Sequence, residues 1–148
     1  MEDLCIFYAS KYHLSLVLLE YLSKKNIKKY AVHTFLENEI EDEVNVLLKK
    51  YKLKIESTNT INFKQTNINI NAKIEIKANM IFIINGSINY MKEVNEYVKR
   101  IIIDNNLKDV KIINCFEFDK QMQYAKQILK SNQKILFTTG KKYLTNLS

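Results

Sequence analysis

The chain has 148 residues, 47% of them hydrophobic and 26% charged, which suits one domain with a sizeable core and excludes disorder over most of its length. Two glycines, no proline and two cysteines exclude collagen-like, linker-like and disulfide-scaffold classes. The formal charge is +7, from 23 basic and 16 acidic residues. Arg100 is the one arginine, and the chain is rich in Ile, Asn and Lys, so lysines scattered by biased composition are the simpler reading. A nucleic-acid or anionic-membrane partner is the alternative that the charge keeps open. No run approaches the roughly 18 to 20 apolar residues of a membrane span. No basic-then-apolar leader precedes Met1, so the expected location is cytoplasmic.

In chain order, Leu4-Cys5-Ile6-Phe7-Tyr8 is a short apolar run and predicts a buried strand. Ser10 can cap a helix over 12–25, whose apolar face is Leu14, Val17, Leu18, Tyr21 and Leu22. Residues 29–35 predict a second strand, centred on 30–33. Residues 39–51 form an amphipathic pattern with an acidic start and a basic end, which predicts a dipole-matched helix. Residues 53–57 predict a further strand. In the middle, Ile68, Ile70, Ile74 and Ile76 alternate with polar residues, which predicts an edge strand or hairpin with one wet face.

Met80 to Asn85 is continuously apolar up to its last residue and predicts a strand covered on both faces, broken by Gly86. A third helix is expected over 89–105, with Met91, Val94, Val98 and Ile101-Ile102 inward. A strand over 110–116, a helix over 119–131, a strand over 134–138 and a basic tail complete the chain. Asp119 is the expected cap of that last helix. The alternation of strands and helices predicts an α/β protein, three-layered around a mostly parallel sheet, in one domain over 1–148.

The order of these segments resembles the MEDS family, a sensory domain of methanogens and methylotrophs. Leu4-Cys5-Ile6-Phe7-Tyr8 with its following helix is similar to the family's opening. Ile112-Ile113-Asn114-Cys115-Phe116-Glu117-Phe118-Asp119 is similar to its strand carrying a cysteine, an aromatic and an aspartate. Ala125 to Gly140 resembles its closing helix, strand and glycine. The resemblance implies a degenerate RecA- or KaiC-like fold and a sensory or signalling role; with no intact P-loop or catalytic constellation in the residues, no enzyme activity is expected. The chain departs from the family at 68–76, where the family carries a helix, and no kinase, receiver or DNA-binding module is read in it.

In such a fold the place to look is the crevice at the carboxyl ends of the strands. A nucleotide hydrolase shows G-x-x-x-x-G-K-[ST] after its first strand. Here Ala9-Ser10-Lys11-Tyr12-His13 contains no glycine, so no ATPase activity and no cofactor are expected. Cys5, Cys115, His13 and His33 lack zinc-ligand spacing, and both thiols sit within apolar runs, so no metal is expected. Asp119 reads as a cap before it reads as a functional acid, and Glu37, Glu39, Glu41, Asp42 and Glu43 as a solvated helix start. The candidate ligand crevice is Tyr8, Ser10, Tyr12, Phe35, Asn85, Gly86, Phe116 and Glu117, for a small organic ligand. Ile68, Ile70, Ile74 and Ile76 are the candidate interface, with a protein partner or a second copy as its occupant. A homodimeric interaction module without ligand and a nucleic-acid-binding accessory protein are the alternative functions.

Overall fold

The apolar runs are strands in the computed structural model, which describes residues 1–24, 29–37, 58–60, 76–118, 120–128, 134–137 and 140–143. In order these form β1 (Glu2–Tyr8), α1 (Lys11–Leu22), β2 (Ala31–Leu36), β3 (Thr58–Thr60), β4 (Asn79–Asn85), α2 (Ile88–Asp104), β5 (Asp109–Glu117), α3 (Met122–Ala125), β6 (Lys134–Phe137) and β7 (Gly140–Tyr143). One sheet joins the strands in the order β3-β2-β4-β5-β1-β6-β7. All neighbours run parallel except β6 and β7, which are antiparallel. The fold is α/β, with helices on both faces of this sheet.

The continuous apolar character of β4 and β5 follows from that cover. On one face, Leu4, Ile6, Ile81, Ile83, Ile113 and Cys115 pack under Leu14, Val17, Leu18 and Tyr21 of α1. On the other, Cys5, Met80, Phe82, Ile84, Ile112 and Phe116 pack under Met91, Val94 and Val98 of α2 and Ala125 of α3. Side chains alternate between these two layers, so every residue of a central strand must be apolar or satisfied. Asn114 is the polar exception in the middle of β5. It exchanges amide hydrogen bonds with Asn95 of α2, 2.7 Å one way and 3.2 Å the other, and Asn95 also donates to Met91 O. This buried pair fixes α2 against the sheet.

Local chemistry starts and stops the elements. Ser10 Oγ accepts from His13 N–H and caps α1, as expected. Ser87 Oγ caps α2 in the same way through Tyr90 N–H. At the far end of α2, Asn106 adopts a left-handed φ of 49°, and Leu107 N–H closes on Ile102 O.

Two expectations are corrected. Of the helix expected over 119–131, the described residues 120–128 form only the single turn Met122–Ala125, continued by turns whose N–H groups reach back three residues. It starts at Gln121 with no side-chain cap. The tail is not merely basic loop, because Gly140–Tyr143 pairs with β6. Backbone pairing, which its Gly-Lys-Lys-Tyr sequence does not advertise, decides that strand. Asp119, the helix over 39–51, the strand over 53–57 and Ile68, Ile70 and Ile74 lie outside the described residues. Ile76 lies in a connection before β4 and is 39% exposed. Among the described residues no helix is long and apolar enough to cross a membrane.

The topology places a crevice. β1 passes its chain to α1 on one face, while β4 and β5 pass theirs to α2 and α3 on the other. Since β1 and β5 are neighbours, their carboxyl ends part there.

The Asn95–Asn114 pair is testable by urea denaturation. Asn95→Ala or Asn114→Ala alone strands a buried amide and is expected to cost about 1–3 kcal/mol. The double variant is expected to cost less than the sum of the two, and strict additivity would contradict the pairing.

Candidate functional site

At that crevice lies a cleft of about 340 Å³, lined by Tyr8, Ser10, Lys11, Asn85, Gly86, Ser87, Glu117 and Gln121. Its floor is the end of β4. Asn85 is 2% exposed, and its Nδ2 donates to Tyr8 Oη and to Cys115 O, each at 3.0 Å. One amide thereby ties the ends of β4, β1 and β5 together. Tyr8 is 6% exposed, and burial pushes its phenol pKa above the ordinary value, against the smaller lowering effect of the Asn85 hydrogen bond. The hydroxyl is therefore neutral across the physiological range.

The walls are held by a second amide and a carboxylate. Gln121 Oε1 accepts from Glu117 N–H at 2.7 Å, and its Nε2 donates to Gly86 O at 2.8 Å. That clamp joins the ends of β5 and β4. Glu37 follows β2; its N–H donates to Asn85 O, and its Oε1 accepts from Ser87 N–H at 2.9 Å. The negative charge that the start of α2 favours is thus supplied by the protein itself. Gly86 is needed because these groups crowd it: a Cβ there would lie 2.5 Å from Tyr90 Cδ1 and 2.8 Å from Glu37 Cβ.

The opposite wall is the start of α1. The connection from β1 has only two residues, Ala9 and Ser10. Ala9 N–H donates to His13 Nδ1 at 3.1 Å, so that nitrogen is an acceptor. Lys11 stands on this wall, and Glu117, paired with Lys120 at 3.0 Å, stands across from it on the β5 side.

Five of the eight sequence candidates therefore meet here: Tyr8, Ser10, Asn85, Gly86 and Glu117. The other three do not line the cleft. Phe35 and Phe116 are fully buried in the core beneath α2, where strand alternation turns them away from it. Tyr12 is 65% exposed on α1. The walls are accordingly polar rather than aromatic. Lys11, Ser87 and Gln121 join the site without having been singled out for it. Ser87 had a signal, a serine directly after a strand-breaking glycine and before a helical pattern. Gln121 had none, since its partners lie in two other strand ends.

The thiols stand apart. Cys5 and Cys115 are buried, and burial pushes the Cys5 thiol up to about 12 and raises that of Cys115 further. His33 is fully buried and stacks on Phe82. Among the described residues no three of His, Cys, Asp and Glu gather where a metal ion could be held.

Two outcomes check this geometry. Gly86→Ala must displace the Tyr90 ring and is expected to destabilise the fold by about 1–3 kcal/mol in thermal or urea denaturation. Both cysteines are expected to resist a thiol reagent in the native protein at mildly alkaline pH and to react once denatured; rapid native labelling would refute their inert placement. No family model, curated protein or solved structure matches the chain.

Proposed function

We propose that the chain is a sensory or signalling domain, as the MEDS resemblance of its segments implies, that binds a small organic molecule in this cleft and performs no chemistry on it. The observation that carries the reading is the buried amide of Asn85, tying three strand ends into a preformed polar floor at the topological switch point. Binding there bears on Gln121, whose side chain joins Gly86 to Glu117 and whose residue begins α3. A ligand that moves either strand end would shift that clamp and the surface of α3 with it.

A role in nucleotide hydrolysis is not favoured. A two-residue connection cannot wrap a triphosphate, and one of its amides is committed to His13. The start of α2 is occupied by Glu37. The raised thiol pKa values of Cys5 and Cys115 likewise argue against a cysteine nucleophile.

A thermal-shift screen with small polar organic compounds tests the reading. A true ligand at a hundred times its Kd adds about 2.7 kcal/mol to stability, and Glu117→Gln at the cleft wall is expected to reduce the shift. A screen without any shift would count against the pocket. Purified protein is expected to turn over no ATP above the buffer rate. Clear turnover abolished by Lys11→Ala would overturn the non-catalytic reading.

A further inference from the structure

We propose that the cleft recognises a compound with an amide-type edge, a hydrogen-bond donor beside an acceptor, as in a carboxamide, a lactam or a cyclic ureide. The proposal rests on the reading of this cleft as a ligand pocket and names the chemistry that would fill it.

The argument starts from the Asn85 amide. A main-chain carbonyl can only accept, so the atom 3.0 Å from Cys115 O is Nδ2 and not Oδ1. Nδ2 has two hydrogens, and both are engaged, one by Cys115 O and the other by Tyr8 Oη. Among the described residues Oδ1 accepts no hydrogen bond, and it is the atom left for Asn85 to offer to the cleft it lines. Tyr8 complements it. Its oxygen accepts from Asn85, so its own O–H remains to be donated, and burial keeps that proton in place. An acceptor and a donor therefore stand next to each other on the floor, on residues only 2% and 6% exposed. A ligand that answers both groups gains more than one that answers either.

An amide edge does so with two adjacent atoms, its N–H toward Asn85 Oδ1 and its carbonyl toward Tyr8 O–H. A carboxylate brings two acceptors and repels Oδ1. An ammonium brings only donors and leaves Tyr8 unanswered. The walls agree with a neutral ligand, because one cationic residue, Lys11, and one anionic residue, Glu117, face the same space. The volume of about 340 Å³ is near the lower limit of ligand pockets and suits one ring better than a dinucleotide.

The experiment is an NMR titration of the full chain with nicotinamide and uracil as probes, beside N,N-dimethylnicotinamide, nicotinate and glycerol. Nicotinamide or uracil is expected to shift the side-chain NH₂ resonances of Asn85 and the backbone amide of Gly86. N,N-dimethylation, which removes the donor, and the change to nicotinate are each expected to weaken binding by roughly tenfold or more. Tyr8→Phe keeps the ring and is expected to lose a similar factor; should it not fold, the ligand series on the unaltered chain decides alone. If N,N-dimethylnicotinamide, nicotinate or glycerol binds at these residues as well as nicotinamide does, the amide edge is wrong and the pocket stands. If no probe in the series perturbs these residues, the amide edge and the small-ligand pocket both fail.

Discussion

The structure depends on one constraint: β4, β5 and β1 are buried on both faces, so their register decides which layer every side chain enters. Ile83 lies beside Ile113, and Ile113 beside Leu4, and all three face α1. The same register, carried to the carboxyl ends, sets Asn85 beside Cys115 and Tyr8 beside Glu117. Because side chains alternate strictly, a slip of one residue would exchange the two layers and turn Tyr8 away from Asn85. Core packing and cleft floor are therefore two consequences of the same pairing.

The two ends of the sheet are held by different chemistry. At the carboxyl ends, neutral amides do the joining. Asn85 ties three strand ends and Gln121 two, and the backbone groups of Cys115, Glu117 and Gly86 that they engage would otherwise need water. At the amino ends, charges do it. Glu2 of β1 accepts from Lys111 of β5 at 3.0 Å and from Lys134 of β6 at 3.1 Å. Tyr30 donates to Asp109 there and lies beside the Lys29 and Lys111 ammonium groups. Its phenol is pushed up to about 12, first by burial and then by Asp109. A raised tyrosine pKa favours the folded state while the phenol is neutral, and this contribution is lost as pH rises from the ordinary 10.0 through about 12.

This division bears on the charge of the chain. Lys111, Lys134, Lys29 and Lys120 each pair with a carboxylate, so part of the basic excess is used in holding the sheet and its rim. The more exposed of these pairs, such as Lys29 with Asp109, contribute little stability, on the order of 0–1 kcal/mol. The cleft itself is balanced in sign, which separates it from the positive potential that the whole chain carries.

Much of the architecture was legible in the residues. Continuous apolar runs marked β1, β4 and β5 because strands covered on both faces need no polar alternation. Ser10 and Gly86 marked a helix start and a strand end through local backbone chemistry, which acts within a few residues. These local rules also placed Tyr8, Ser10, Asn85, Gly86 and Glu117 near strand ends, where α/β sheets gather their ligands. The orientation of the side chains was another matter. Phe35 and Phe116 stand near strand ends as Tyr8 does, and only the register sends them into the core. The clamp of Gln121 on Gly86 spans 35 residues, and that of Asn85 on Tyr8 spans 77. No period or local propensity encodes partners at such separations. The sequence by itself determined the strands β1, β2, β4, β5 and β6 and the helices α1 and α2; the tertiary pairing alone decided strand order, the antiparallel β7 and the polar character of the cleft, because those follow from hydrogen bonds between residues distant along the chain.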